Sequence, residues 1–93
     1  MTAERLLAEA NVLKQDFAIL MRVSRVTVHH WLRGAHEPSR VHAGRYKSLL
    51  ETIQTAVDTG LLPGLLARDM PRERRVNYVR QQLAEARRQS KAS

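Results

Sequence analysis

Val28 and Trp31 stand three residues apart between Ser24 and Gly34, and this interval constrains the chain more than any other. A separation of three is close to one helical turn, so both large apolar side chains share one face of a helix. The Ser24 hydroxyl can accept a bond from a free amide of the first turn, and Gly34 suits the left-handed residue that ends a helix. A helix over about 25–33 follows. Its other face carries Arg25, Thr27, His29, His30 and Arg33. An element anchored on one side and polar on the other is built to present the polar side.

Helical periodicity continues on both sides, with no β alternation. A first helix is predicted over about 3–10, with Leu6, Leu7 and Ala10 inward and Asn11 at its end. A second covers about 14–21, with Phe17, Ala18 and Met21 as its apolar side and a turn at Arg22-Val23. After the loop Ala35-His36-Glu37-Pro38, Ser39 is an N-cap for a longer helix reaching about Thr59. Its stripe is Tyr46, Leu49, Leu50, Ile53 and Val57, and Gly60 closes it. Leu61 to Leu66 forms an apolar connection, with room for a short helix after Pro63. A last helix over about 71–89 carries Val76, Val79, Leu83 and Ala86, and the tail from Ser90 is expected to be disordered. The fold class is therefore all-α: a compact helical bundle over residues 1–60 with a C-terminal helical extension over 61–93.

Ninety-three residues argue for one small folding unit with a modest core, for which dimerisation is a natural supplement. Sixteen basic against nine acidic side chains leave a net charge of +7, which calls for an acidic partner. The excess is uneven. Residues 1–60 hold 8 basic and 6 acidic side chains, a net of +2, and residues 61–93 hold 8 and 3, a net of +5. There is no Cys, so disulfides and thiolate metal sites are excluded. The N-terminal stretch lacks the pattern of a secretory signal, and no apolar run approaches the ~20 residues that span a bilayer. A cytoplasmic protein with no membrane association is expected. The last helix has too few bulky apolar residues opposite its arginines to lie on a membrane surface.

The segment from Ala18 to Gly34, followed by Pro38-Ser39, resembles the Cro/CI-type helix-turn-helix family of phage and bacterial repressors. The resemblance covers about residues 5–57 and rests on Ala18, Val23-Ser24, Val28, Trp31, Gly34 and Pro38-Ser39 taken together. It departs at Arg22, where the family usually has Gly in the turn. It departs again at Leu13-Lys14, where the family often has Thr-Gln; Gln15 comes one residue later. The first helix is also shorter than usual.

The resemblance implies a lambda-repressor-like fold and a sequence-specific, double-stranded DNA-binding regulator, a dimeric repressor with helix 25–33 in the major groove. It assigns base reading to Arg25, Val26, Thr27, His29, His30 and Arg33, and phosphate contacts to Lys14, Gln15, Ser24 and Arg40. Arg25 suits a guanine edge and Val26 a thymine methyl. The lysine and glutamine stand at a helix N-terminus, where free amides favour phosphate. A homodimer or partner surface is expected from Leu61, Leu62, Leu65, Leu66, Val76, Val79 and Leu83, because a Leu-rich segment beyond a complete four-helix core needs a cover. Packing onto its own domain is the competing arrangement. The alternative function is a protein-interaction module, an antitoxin or anti-activator, that uses the helix-turn-helix as scaffold and grips its partner through the last helix.

No carboxylate pair, activated nucleophile or glycine-rich phosphate loop is present, so an enzyme is not expected. The four histidines, at 29, 30, 36 and 42, match no familiar metal-ligand spacing, and no cofactor is expected. An aromatic content of 4% disfavours stacking on single-stranded RNA. The DNA-binding reading requires that the outward face of helix 25–33 not be covered by the chain's own tail.

Overall fold

Five helices and their connections make up residues 2–92, the part described by the computed structural model: α1 (Ala3–Ala10), α2 (Lys14–Met21), α3 (Arg25–Arg33), α4 (Arg40–Asp58) and α5 (Arg72–Ala92). The chain is an all-helical small bundle, with no strand among the described residues.

Local chemistry explains most of the boundaries. Thr2 Oγ1 accepts the Arg5 amide at the start of α1, and Asn11 ends it in the left-handed region at φ 57°. At α2 the side chain of Asp16 accepts the Leu13 amide at 3.0 Å, which satisfies one donor ahead of the first turn. Ser24 Oγ accepts the Thr27 amide at 3.1 Å, and Gly34 closes α3 at φ 75°. Ser39 precedes α4 in extended geometry, but its hydroxyl makes no cap bond; the His42 and Ala43 amides donate to its carbonyl instead. Asp58 ends α4, followed by Thr59 and a left-handed Gly60.

The turn between α2 and α3 spans Arg22, Val23 and Ser24. Arg22 sits at φ 60° and ψ 42°, so a left-handed backbone that Gly takes without strain is here adopted by a residue with a Cβ.

The core is continuous. Leu6, Leu7, Val12, Phe17, Met21, Val28, Trp31, Leu49 and Ile53 are buried together with Leu62, Leu66, Val79, Leu83 and Ala86. Trp31 reaches α4, with ring centroids 5.4 Å from Tyr46 in a T-shaped arrangement, and Tyr46 meets Phe17 in the same way at 5.9 Å.

The C-terminal segment departs from expectation. The last helix packs against α4 and α2, so its stripe completes the same core. Leu62, Leu66, Val76, Val79 and Leu83, expected at a dimer or partner surface, are buried within the chain itself. Leu61 is half-buried, and of the seven only Leu65 is exposed, at 80%. The physical reason is that burial removes apolar area from water equally well against either cover, and the connection folds the helix back within reach. No short helix follows Pro63; the 61–71 connection is turns and bends, with a cis Leu62–Pro63 bond. The helix also continues to Ala92, past the expected end at 89. Of the tail expected to be disordered, Ser93 lies outside the described residues.

Two polar devices hold the connection in place. Buried Arg75 pairs with Asp16 and donates to the carbonyls of Asn11 and Ala67. The Asn11 side-chain amide donates to the Leu66 carbonyl at 3.0 Å. Together they join the α1–α2 link, the start of α2, the connection and the start of α5.

Candidate nucleic-acid interface

With Val28 and Trp31 turned inward, the opposite side of α3 is centred on Val26 and Arg33. Val28 is fully buried, whereas Val26, two residues earlier, is 64% exposed. Arg25 and Arg33 are exposed on the same side, flanked by half-buried His29 and His30. The α5 helix packs elsewhere, on α4 and α2, so the polar face of α3 is open.

The expected site residues do not all stand alike. Thr27 is half-buried at the margin of the strip, and its hydroxyl lies 2.8 Å from Ser24 Oγ. Both hydroxyls are thus engaged at the start of α3, which sets Thr27 apart from the other residues expected to read bases. Arg25 forms a cleft with Leu13, Lys14 and Gln15 at the start of α2, so these expected contact residues lie together. Arg40 is exposed at the start of α4.

Lys14 ties the two helices. Its ammonium donates to His29 Nδ1 at 3.1 Å and lies 3.8 Å from the Glu4 carboxylate. A nitrogen that accepts from an ammonium must keep its lone pair, so this contact requires neutral His29. Partial desolvation, then the positive charges of Lys14 and Arg33, hold the imidazole below its ordinary value of 6.5. No hydrogen bond engages Nε2 among the described residues. His30 packs its ring against His36, with centroids 5.2 Å apart.

Glu4 and Arg22 were missed as neighbours of this face. The former reaches it through Lys14, from a helix whose angle to α2 no local pattern encodes. The latter is an exposed cation at the turn, and its sequence signal was the missing Gly. Among the described residues no group of three or more His, Asp or Glu side chains is arranged to hold a metal ion. None of their helices is long and apolar enough to cross a membrane. No family model matches the chain, and it matches no curated protein and no solved structure.

Proposed function

We propose that this chain is a double-stranded DNA-binding transcription regulator that lays α3 in the major groove. The observation that carries the reading is the contrast within α3: Val28 is buried while Val26 is 64% exposed beside exposed Arg25 and Arg33. A β-branched apolar side chain left in water between two arginines has a natural use against a thymine methyl, with the guanidiniums on base edges or phosphates. Lys14 and Gln15, at the amide-rich start of α2, share a cleft with Arg25, and they and the exposed Arg40 at the start of α4 suit phosphate oxygens. The net charge of +7 supplies the sequence-independent attraction.

The roles differ by residue. Arg25 and Val26, in the first turn of α3, read bases. His29, through Nε2, and Arg33 extend the strip, and Ser24 and Thr27 hold the helix start. The alternative of a partner gripped by Val76, Val79 and Leu83 has less support, because those side chains are in the chain's own core. The proposal concerns one copy on one half-site. A palindromic operator would bring two copies together about one helical turn apart, a stoichiometry read from the mass of the complex.

The test is selection from a randomised duplex library, followed by anisotropy titration of the enriched sequence and a scrambled one. A consensus that Arg25→Ala and Val26→Ala alter at adjacent base positions supports the reading. Absence of binding to either duplex at low salt refutes it.

A further inference from the structure

The chain carries a second basic surface that the α3 strip does not use. In α5, seven cations (Arg72, Arg74, Arg75, Arg80, Arg87, Arg88 and Lys91) face two carboxylates, Glu73 and Glu85. Arg75 is consumed by Asp16 and Arg88 by Glu85. Five cations and one carboxylate remain without a partner among the described residues, a net of +4 on the solvent side of one helix.

Their position relative to α2 selects two of them. An open cleft runs along the α2–α5 seam, with Ile19 on one wall and Arg72, Glu73, Val76, Asn77 and Arg80 on the other. Ile19 belongs to the outer ridge of α2: Gln15 and Ile19 are spaced four apart, both half-buried, and so share one face. On the proposed function, which this step presupposes, α2 crosses a phosphate strand at the edge of the groove that α3 enters. The ridge then lies over that strand: Gln15 shares a cleft with Arg25 of α3, and Ile19, one turn on, lines the seam with α5.

We infer that the α2–α5 seam is a second phosphate-binding surface, in which Arg72 and Arg80 take backbone phosphates of the same duplex beyond the half-site that α3 reads. Both side chains are exposed and have no carboxylate partner among the described residues, and they stand eight positions apart, about two turns. That distance along the helix, roughly 12 Å at 1.5 Å per residue, places them over separated phosphates. Glu73 sits between them and opposes the attraction, which makes it an internal control of opposite sign. The contacts carry no base information, so they add affinity and salt dependence without adding specificity.

The experiment is the dependence of log affinity on log salt for the full chain on a long duplex carrying the selected site. Each lost phosphate contact reduces the slope by about 0.9 on B-DNA, so Arg72→Gln with Arg80→Gln lowers its magnitude by about 1.8. The ratio of specific to scrambled affinity stays within about twofold, because phosphate contacts read no sequence. Arg74→Gln removes the same charge from the same helix outside the cleft and leaves the slope unchanged. Glu73→Gln tightens binding. Circular dichroism melting of each variant matches the parent, since all these positions are exposed. An unchanged slope in the double variant overturns the inference while leaving DNA binding through α3 intact. Equal loss in Arg74→Gln overturns it too, since it would mean diffuse attraction rather than a seam. If the parent chain binds no duplex, the proposed function falls and the seam inference with it.

Discussion

Arg75 Nε lies 3.2 Å from Asp16 Oδ2, with both side chains almost wholly out of water, and this pair joins residues 59 positions apart. Asp16 Oδ2 also accepts the Leu13 amide, while Asp16 Oδ1 is buried without a partner. The same carboxylate therefore starts α2 and anchors α5. A buried pair of this kind contributes little net stability when compared with an apolar replacement, but removing one member strands the other charge.

Asp16→Ala and Arg75→Ala are each expected to cost about 3–5 kcal/mol, a large part of the ~5–15 kcal/mol that a small domain has. The double replacement Asp16→Leu with Arg75→Met is expected to be more stable than either single variant, because no unpaired charge is left buried. Urea denaturation of the four proteins measures this, and a double variant no better than the worse single one would refute it.

Arg22→Gly is expected to stabilise the chain by about 1 kcal/mol, since the left-handed backbone at φ 60° costs roughly that for a residue with a Cβ. In a chain of this size that raises the melting temperature by about 4–8 °C. A drop in melting temperature would show that the arginine side chain contributes more than its backbone loses.

Gly64 is the opposite case. It is left-handed at φ 52°, and a Cβ there would collide with the Tyr78 hydroxyl and crowd the Leu61 carbonyl. That hydroxyl accepts the Leu65 amide at 2.9 Å, so the ring cannot simply turn away. Gly64→Ala is expected to cost about 2 kcal/mol from backbone strain and overpacking together. Tyr78→Phe in the Gly64→Ala background removes the hydroxyl and should recover part of the loss in thermal melting.

His29 yields a pH dependence with a definite sign. Its folded value is below the ordinary 6.5, because desolvation and the Lys14 and Arg33 charges oppose protonation. The neutral form's contribution to stability is fully present above pH 6.5 and is lost as pH falls through the folded value. In an NMR titration the His29 ring should titrate below 6.5, and Lys14→Gln should raise its midpoint. Duplex phosphates add negative charge and should raise it further, so affinity should increase as pH falls. A midpoint unmoved by Lys14→Gln would refute the role given to that lysine.

Two valines separate packing from recognition. Val28→Ala should cost about 2 kcal/mol of stability, for two buried methyl groups and the space they leave. Val26→Ala should leave the melting temperature within about 2 °C, as expected at an exposed position, and change only the base preference of the bound duplex. Equal thermal effects of the two would refute the orientation of α3.

The sequence by itself determined the five helices, the caps at Ser24, Asn11 and Gly34, and the inward stripes of α3, α4 and α5, because these depend on neighbours within a turn or two. It also placed Arg25, Lys14 and Gln15 together, since the turn between α2 and α3 leaves little freedom. Tertiary structure decided what covers each stripe. An apolar row at Val76, Val79 and Leu83 states that it must leave water, not whether a second copy or α4 and α2 will cover it. Likewise only the packed bundle brings Arg75 to Asp16 and the Tyr78 hydroxyl to Leu65. Such contacts depend on helix angles that no short-range pattern encodes, whereas Val26 at the centre of the strip and Thr27 at its edge follow from the helical period once Val28 and Trp31 face inward.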